Sequence, residues 1–448
     1  MAPDTASTTG SGQALWSKAK KLIPGGNCIL SKRSERYLPD LWPAYYSKAK
    51  GCEVWDVDGN HYYDFAQMGV GACSLGYSDD EINAAVVQAI SGGVMCSLNA
   101  PEEVQLAEKL IELHPWADMA RFARTGGEAC GIAVRIARAA SGKPVVAFCG
   151  YHGWKDWYLA ANLGDKGALD AQLLPGLDTA GVPDVLRGTA VTFNYNRLDE
   201  LEALVAEQGD KIGVIMLEPM RGSYPEPGFI EGVRAIADRI GAVLIFDEVT
   251  SAFRVNLGAI HHTLTEVRPD IAVFGKALGN GYAISAVIGT RAVMDHAQDS
   301  FISSTMWSER VGFTAALAAI SKMEREPITE KLVHYGLRVQ EGWKMLSEKH
   351  GIPIGIGGCP PLTSLSFKVS GTVKPLEVQT LYAQEMLKKG YLLGAAVYTT
   401  YAYTDEIVDN FIAASDEVWP LLKEAIESGD VKKYLTAGVA SPGFARLT

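Results

Sequence analysis

The segment DIAVFGKALGNGYAISAVIGT, residues 270–290, gives the strongest indication of the fold. Its apolar run, residues 271–274, predicts a short buried strand that ends in Gly275, a lysine and a loop with further glycines. Lys276 therefore lies where a strand ends. Most lysines are solvated surface cations, whereas a lysine partly removed from water has a lowered pKa, and its free amine can form a Schiff base.

A second apolar run predicts a neighbouring strand that ends in a carboxylate. Residues 242–246, within AVLIFDEVTSAFR, follow Gly241 and lead directly into Asp247 and Glu248. Ligands of doubly wound sheets collect at the carboxyl ends of the strands, so we expect Asp247 and Lys276 to face one crevice. Pyridoxal phosphate requires this pair, because a lysine binds its aldehyde and a carboxylate keeps its pyridine nitrogen protonated. Taken alone, Asp247 is equally compatible with a helix N-cap or a solvated loop acid.

Together, the motifs FDEVTSAFR and FGKALGNG carry a family resemblance. From about residue 24 to about residue 414, the chain closely resembles the class III aminotransferases, which use pyridoxal phosphate, and within them the glutamate-1-semialdehyde aminomutase-like branch. This resemblance implies an α/β protein of fold type I, with a large domain whose mostly parallel sheet is flanked by helices and a smaller α+β domain. It also implies that Lys276 and Asp247 are catalytic and that both, with Val249, bind the cofactor.

Size and composition fit a globular enzyme in the cytoplasm. The chain has 448 residues, of which 48% are apolar, and its net charge of −11 disfavours nucleic acid and acidic membranes as partners. Its seven cysteines are widely spaced and include no CxxC pair, so neither a disulfide framework nor a metal site is expected. No apolar run approaches the roughly 20 residues of a membrane span. Residues 1–12 lack the apolar core of a signal peptide and predict a disordered leader.

Changes of pattern along the chain divide the remainder into three predicted segments. Residues 13–75 form an N-terminal arm that includes a β-hairpin around the turn sequence DGN. Residues 76–320 alternate strands with helices and form the large cofactor-binding domain, and residues 321–448 form the C-terminal small domain. Residues 154–188, rich in Gly, Pro and Asp, predict a long functional loop. In the aminomutase branch the corresponding segment is a gate over the site.

The sequence RTGGEACGIAVRIARAASG predicts a helix whose N-terminus binds an anion. Apolar residues from 129 to 140 follow one helical face, so Thr125, Gly126 and Gly127 lie at its start. Exposed amides and the positive end of the helix dipole favour a phosphate there. A plain Thr N-cap with flexible glycines is the alternative. The resembling family has Ser-Gly-Thr at this position, so one hydroxyl is shifted or lost here, although backbone amides can still bind the phosphate.

The resemblance assigns four further residues to the cofactor. Tyr151 ends a predicted strand, and in the family the aromatic residue before His-Gly stacks on the cofactor ring. His152 follows in the same motif, with a structural histidine as the alternative, and Glu218, in the family's Glu-Pro motif, is expected to contact the cofactor or a substrate group. Thr305 best matches the residue that reaches the cofactor phosphate of the other subunit, which implies a homodimer with composite sites. A hydroxyl-rich turn is the alternative for Thr305.

The expected function is transamination with pyridoxal phosphate. Lys276 holds the cofactor as a Schiff base while an amino group passes from an amino donor, such as glutamate, to a carbonyl acceptor. Trp154, Trp157 and Trp307 near the inferred site allow a bulky or sugar-like acceptor. A nucleotide binder is a weaker alternative than any of those below, because Lys276 follows only one glycine and lacks the spacing of a P-loop.

Three alternatives to transamination stay open. The first is an aminomutase of the glutamate-1-semialdehyde type, although Ser223 and Ala395 stand where that enzyme has an asparagine and a glutamate, and its carboxylate-binding arginine aligns only loosely, with Lys32 or Arg33. The second is an amino-acid racemase or epimerase, which uses the same lysine chemistry. The third and most distant is an inactive scaffold of the same fold.

Overall fold

The computed structural model describes residues 10–172, 174–220, 222–441, 443–444 and 446–447. Residues 1–9 of the predicted leader lie outside the described residues, and a helix begins at Ser11, inside that predicted leader. The chain forms two compact units: one is Asp80–Glu330, and the other combines Met1–Asp79 with Lys331–Thr448. Among the described residues, no helix combines the length and the apolar character that crossing a membrane requires.

The elements are numbered in chain order. The strands are β1 (Tyr46–Lys50), β2 (Glu53–Asp56), β3 (His61–Phe65), β4 (Met119–Ala123), β5 (Val145–Cys149), β6 (Ala190–Thr192), β7 (Ile212–Leu217), β8 (Val243–Asp247), β9 (Ile271–Phe274), β10 (Ser285–Gly289), β11 (Ile354–Gly357), β12 (Leu362–Phe367), β13 (Tyr391–Leu393) and β14 (Ala396–Tyr398). The helices are α1 (Ser11–Leu22), α2 (Asp80–Ser91), α3 (Pro101–Leu113), α4 (Gly126–Ser141), α5 (Asp156–Leu159), α6 (Ala161–Gly164), α7 (Leu198–Gln208), α8 (Phe229–Ile240), α9 (Arg291–Met294), α10 (Arg310–Arg325), α11 (Ile328–His350), α12 (Pro375–Lys388) and α13 (Asp405–Glu427).

The unit Asp80–Glu330 is built on a seven-stranded sheet in the order β4-β10-β9-β8-β7-β5-β6. The pairs from β9 to β6 are all parallel, and β10 runs antiparallel to both of its neighbours. Every residue of β5, β7, β8 and β9 is buried. Strands covered on both faces read as nearly continuous apolar runs, which is why they are visible in the sequence. The predicted mostly parallel sheet is confirmed.

Helices cover both faces of this sheet. Phe148 of β5 lies in one buried cluster with Ile136 of α4, whereas the adjacent Ala147 lies in a second cluster with Ile236 of α8. Because successive side chains of a strand point to opposite faces, α4 and α8 pack on opposite sides of the sheet. Helix α4 follows the predicted apolar pattern and ends at Gly142, whose φ of 66° is in the left-handed region.

The other unit contains two smaller sheets, β1-β2-β3-β13 and β11-β12-β14. Strands β2 and β3 pair antiparallel and form the predicted hairpin. One buried cluster joins residues of these sheets to α11, α12 and α13, with Trp343 and Trp419 among its fully buried side chains. Helix α11 ends at His350 and helix α13 begins at Asp405.

Candidate active site

The motifs FDEVTSAFR and FGKALGNG meet at one edge of the seven-stranded sheet. Strand β8 ends at Asp247, and it pairs in parallel with β9 so that Asp247 lies opposite Val273. Lys276 follows the end of β9 with a φ of 47°, a backbone conformation that is uncommon for a residue with a side chain. Its Nζ donates a hydrogen bond to Thr250 Oγ1 at 2.9 Å. The structure therefore brings the predicted carboxylate and lysine to the carboxyl ends of adjacent strands.

Asp247 is buried and surrounded by hydrogen-bond donors, with 3% of its surface exposed. Its Oδ2 accepts hydrogen bonds from His152 Nδ1 at 2.8 Å and from Cys130 Sγ at 3.3 Å, and its Oδ1 accepts one from the Val249 N–H at 3.1 Å. Burial acts to raise the pKa of Asp247, but the hydrogen bond and charge of His152 and the other donors outweigh it and lower that pKa below its usual value. The carboxylate is therefore negatively charged at neutral pH.

His152 acts on this carboxylate from a fully buried position. Its Nδ1 faces Asp247, and its Nε2 lies 3.1 Å from the Cys149 carbonyl oxygen. Both ring nitrogens face acceptors, so both hydrogen bonds form only when the ring carries two protons. The rings of Phe148 and Trp157 enclose it, at centroid distances of 5.7 and 6.4 Å. His152 thus holds Asp247, and both of its nitrogens are occupied by protein atoms.

The N-terminus of α4 has the predicted composition, and Thr125 is its N-cap. Thr125 Oγ1 accepts a hydrogen bond from the Glu128 N–H at 3.3 Å, and Glu128 Oε2 accepts one from the Thr125 N–H at 2.9 Å. This reciprocal pair is a capping box, so the threonine side chain has the N-cap role considered as an alternative. Gly126 and Gly127 are the first two residues of the helix, where backbone N–H groups have no partner within the helix.

Close packing at two glycines ties this helix to the strand ends. A Cβ added to Gly126 would lie 2.8 Å from Val249 Cγ1, and one added to Gly275 would lie 3.4 Å from the same atom. Val249 therefore lies between the helix N-terminus and the strand that leads to the lysine. Ser285 of β10 adds a hydrogen bond from its Oγ to the Thr125 carbonyl oxygen at 3.0 Å. The absence of side chains at both glycines lets the three segments approach each other.

Tyr151 follows the end of β5 and is half-buried. Its N–H donates to Glu218 Oε2 at 3.0 Å, and a Cβ at Gly150 would lie 2.8 Å from the same oxygen. The Tyr151 ring meets Tyr158 edge to face, with centroids 5.8 Å apart. In the structure Glu218 is thus a buried residue that positions the backbone on which Tyr151 stands.

The turn that carries Thr305 is attached to the start of α4. Thr305 is exposed at the beginning of a 3-10 helix, Thr305–Ser308. Arg124, directly before the N-cap, donates from Nε to the Met306 carbonyl oxygen at 2.6 Å and from Nη2 to the Trp307 carbonyl oxygen at 3.1 Å. This arrangement fixes the turn next to Gly126 and Gly127 within one subunit.

The three tryptophans predicted near the site are placed differently from one another. Trp154 is 65% exposed, and its ring lies 3.3 Å from the position of a Cβ at Gly127. Trp307 donates from Nε1 to Glu128 Oε1 at 3.3 Å. Trp157 is buried against the ring of His152 and belongs to the core, so its ring lies near the site and presents little surface to a bulky acceptor. Trp157 belongs to helix α5, which lies in the stretch predicted as a long functional loop, and this helix sets the direction of the Trp157 ring.

Two contacts of the site were missed from the sequence. Thr250 lies within the quoted motif, yet its contact with Lys276 depends on how the turn after β8 folds. Cys130 is visible in the sequence only as a buried helix position, and its contact with Asp247 joins residues 117 positions apart. Glu248, in contrast, is directed into the protein, where it is fully buried beside His261.

These residues fit pyridoxal phosphate by the chemistry of their donors and acceptors. Among the described contacts, Asp247 Oδ1 accepts one hydrogen bond and so has a lone pair for the N–H of a pyridinium ring. Lys276 offers a primary amine at the neighbouring strand end, and the glycine start of α4 offers amides to a phosphate. The aldehyde, ring nitrogen and phosphate of the cofactor each have a chemically matching group on this edge of the sheet.

Comparison with known proteins identifies the family. A sequence profile described as "Aminotransferase class-III" matches residues 37–409. The 3-aminobutyryl-CoA aminotransferase of Cloacimonas acidaminovorans (strain Evry) is 33% identical over 403 residues, which cover 88% of this chain and 92% of that protein. The 2'-deamino-2'-hydroxyneamine transaminase of Streptomyces kanamyceticus is 29% identical over 376 residues, which cover 83% of this chain and 91% of that protein.

Solved structures agree on the fold. The FumI protein of Sphingopyxis sp. MTA144, in its PLP internal aldimine form, superposes with a TM-score of 0.84 at 25% identity, covering 94% of this chain and 98% of that one. A glutamate-1-semialdehyde-aminomutase from Pseudomonas aeruginosa PAO1 has a TM-score of 0.79 at 18% identity, covering 92% and 94%, so its likeness concerns the fold alone. The predicted fold type I and family are confirmed, while the aminomutase-like branch stays a prediction. This chain belongs to the class III aminotransferases and is a pyridoxal-phosphate-dependent aminotransferase.

Proposed function

We propose that this enzyme takes the amino group of an amino-acid donor such as glutamate and passes it to a carbonyl acceptor, with Lys276 as the residue that binds the cofactor covalently. The observation that carries the proposal is the charged, buried Asp247 on β8, beside the strand that leads into Lys276. A buried carboxylate whose pKa stays low can keep a facing ring nitrogen protonated. This is the electrostatic requirement for transamination.

Asp247 and its neighbours are assigned to the cofactor ring. When bound, pyridoxal phosphate supplies an aldehyde for the amino group and a protonated ring that withdraws electrons from the substrate carbon. Asp247 Oδ1 would accept the ring N–H, and His152 donates to Asp247 from a distance of 2.8 Å, which favours the charged carboxylate. Tyr151 and Val249 are the residues that would hold the ring in place.

Lys276 is assigned the proton transfers. Its Nζ takes a proton from the substrate carbon that carries the amino group and later returns a proton, which a single positioned amine can do as base and then as acid. The side chain is half-buried and follows the end of β9. Thr250 Oγ1, 2.9 Å from Nζ, restrains the amine at the strand end.

The cofactor phosphate is assigned to the start of α4. Gly126 and Gly127 open this helix of 16 residues, and its free N–H groups and dipole favour an anion. The Thr125 hydroxyl already exchanges hydrogen bonds with Glu128. Backbone amides, rather than this hydroxyl, therefore carry the phosphate in our proposal.

The active site is further proposed to be completed in a homodimer, in which Thr305 reaches the cofactor phosphate of the other subunit. Support comes from apolar side chains on the same unit: Phe301 and Met306, close to Thr305 in sequence, are 85% and 56% exposed, and Leu98 is 80% exposed. Large apolar side chains left in water favour association. A mass measurement in solution that found only monomers of 48.2 kDa would contradict this assignment.

The acceptor is proposed to be larger than a simple keto acid. One relative is named for 3-aminobutyryl-CoA and another for a neamine derivative. Beside the start of α4, Trp154 is 65% exposed and offers an aromatic face for a bulky or sugar-like group. The rate of glutamate turnover, measured with acyl-CoA and aminosugar carbonyl compounds as acceptors, tests this class. A rate with pyruvate as the acceptor that equals the rates with these larger compounds would argue against it.

A visible spectrum before and after addition of L-glutamate tests the proposed function. The purified protein is expected to show the visible band of lysine-bound cofactor, and glutamate is expected to bleach it as the amino group moves to the cofactor. Conversion of glutamate 1-semialdehyde without a second substrate would instead identify an aminomutase. A protein that stays colourless after reconstitution with pyridoxal phosphate would refute the assignment.

The lysine assignment needs its own variant. Lys276→Ala is expected to lose the band and turnover, whereas Lys211→Ala, which changes an exposed lysine before β7, is expected to keep both. Reduction with borohydride followed by peptide mapping locates the labelled residue directly. A label on any other lysine, or a fully active Lys276→Ala enzyme, would overturn the role of Lys276.

A further inference from the structure

We propose that Cys130 is a positioning residue of the cofactor site, whose thiol fixes the Asp247 carboxylate in the orientation that meets the ring nitrogen. The inference rests on the proposed role of Asp247 and adds a residue that touches neither substrate nor cofactor. Its basis is a single direct contact, in which Cys130 Sγ donates to Asp247 Oδ2 at 3.3 Å between two buried side chains.

The position of Cys130 follows from the packing of α4. Cys130 lies on the buried face of the helix, with 1% of its surface exposed, together with Ala133 and Ala137. Small side chains on this face allow the helix to approach the sheet closely enough for the thiol to reach the end of β8. The same helix therefore offers its N-terminal amides to the phosphate and, about one turn later, a thiol to the carboxylate.

Three donors from three separate segments hold Asp247. Cys130 comes from α4, His152 from the segment after β5, and the Val249 N–H from the turn after β8. Cys130 and His152 share Oδ2, while Val249 N–H binds Oδ1. Two donors on Oδ2 restrict rotation of the carboxylate about its terminal bond, so that the other oxygen keeps one orientation. Without the thiol, the described contacts of the carboxylate are those of His152 with Oδ2 and of the Val249 N–H with Oδ1.

The thiol keeps the proton that this role requires. Burial raises the pKa of Cys130 well above its usual value, and the charge and hydrogen bond of Asp247, with the charge of Glu218, raise it further. The charged groups that act on Cys130 are thus the carboxylates of Asp247 and Glu218. His152 contacts Asp247 Oδ2, the oxygen that also accepts the hydrogen bond of the thiol. Cys130 is therefore a donor over the working pH range and not a nucleophile.

The test compares Cys130→Ala with Cys130→Ser. The alanine variant removes the donor, and the serine variant keeps one with a similar size. Loss of one hydrogen bond to a carboxylate is expected to weaken binding of pyridoxal phosphate to the apoprotein by about threefold to tenfold. The acid limb of kcat/KM against pH is expected to move upward, by up to about one pH unit, because a donor that favours the charged form of Asp247 is gone. Cys130→Ser is expected to restore both quantities to within about twofold of wild type.

Two controls separate this role from packing and from failure of the proposed function. Cys359→Ala removes a fully buried thiol from the other unit and is expected to leave cofactor affinity and the acid limb unchanged. In an Asp247→Asn background, Cys130→Ala is expected to have little further effect on cofactor affinity, because the two residues act as one unit. If Asp247→Asn alone leaves affinity and the pH profile unchanged, the proposed function fails rather than this inference.

Specific outcomes overturn the inference. If Asp247→Asn weakens cofactor binding but Cys130→Ala does not, Cys130 has no positioning role. If Cys130→Ser binds pyridoxal phosphate as weakly as Cys130→Ala does, and both variants lose thermal stability to the same degree, Cys130 acts through packing alone. Effects that add fully in the double variant lead to the same conclusion.

Discussion

Replacing His152 by phenylalanine tests the central electrostatic feature of this site, the buried charge on Asp247. The imidazole is fully buried and its Nδ1 lies 2.8 Å from Asp247 Oδ2, whereas phenylalanine offers no donor. A hydrogen bond to a charged group contributes about 1.5–3 kcal/mol. We therefore expect kcat/KM at neutral pH to fall by about 10-fold to 100-fold, since each tenfold change corresponds to about 1.4 kcal/mol.

The pH dependence of the same variant has a defined sign. In the native protein the pKa of Asp247 is lowered, so its charge is present at neutral pH and is lost only as the pH falls through that low pKa. In His152→Phe, burial remains while the main opposing effect is removed, so the pKa of Asp247 rises. The acid limb of kcat/KM is therefore expected to move to higher pH by about one unit or more.

The assay is the rate of the glutamate half-reaction, followed by the loss of the visible band between pH 5 and 9 under single-turnover conditions. Trp157→Phe is the matched control, because Trp157 stacks on the His152 ring while Asp247 is held by other residues. An unchanged acid limb in His152→Phe, with a rate loss equal to that of Trp157→Phe, would refute the argument that His152 acts through the charge of Asp247.

Two further predictions concern hydrogen bonds of the turn after β8 and of α3. Thr250→Val, which deletes the hydroxyl 2.9 Å from Lys276 Nζ, is expected to slow proton transfer by about fivefold to tenfold. Thr250→Ser keeps the hydroxyl and is expected to react at a rate close to that of the wild type. Equal rates for Thr250→Val and the neighbouring Ser251→Ala would contradict this role of Thr250. Burial lowers the pKa of His114 to about 4, although its hydrogen bond to the Leu110 carbonyl opposes the shift. Because the unfolded chain then binds a proton more readily than the folded chain, we expect the free energy of unfolding to fall by roughly 3 kcal/mol as the pH drops from about 6.5 to about 4. Urea titrations of His114→Asn at these two pH values should show a smaller fall. A fall equal to that of the wild type would contradict the prediction.

The strongest predictions from the sequence rest on patterns of apolar residues within short segments of the chain. Residues 271–274 and 242–246 are continuous apolar runs because each strand is covered on both faces, and both became buried parallel strands. The apolar pattern of α4 reports the one face that packs on the sheet. The placement of Asp247 and Lys276 on one edge follows from the topology of parallel strands, which is why a local pattern was sufficient to predict it.

Other features depend on contacts between distant parts of the chain. Trp157 was expected near the site, among three tryptophans that allow a bulky acceptor, and the short helix α5 turns its ring toward His152 and the core. Glu218 was expected at the cofactor, and in the structure it accepts the N–H of Tyr151. Side-chain direction in irregular segments depends on neighbours that composition does not identify.

Local patterns of the sequence were therefore sufficient to predict the class of the fold and the family and to propose Lys276 and Asp247 as site residues, because periodicity and motif spacing are local properties of the chain. The groups that control the charge of Asp247 are recognisable only in the folded chain. Cys130 and His152 lie 117 and 95 positions from Asp247, and they meet it because α4 and the segment after β5 pack against the end of β8. Whether a buried acid is charged depends on donors within a few ångströms, and those donors are brought together by folding.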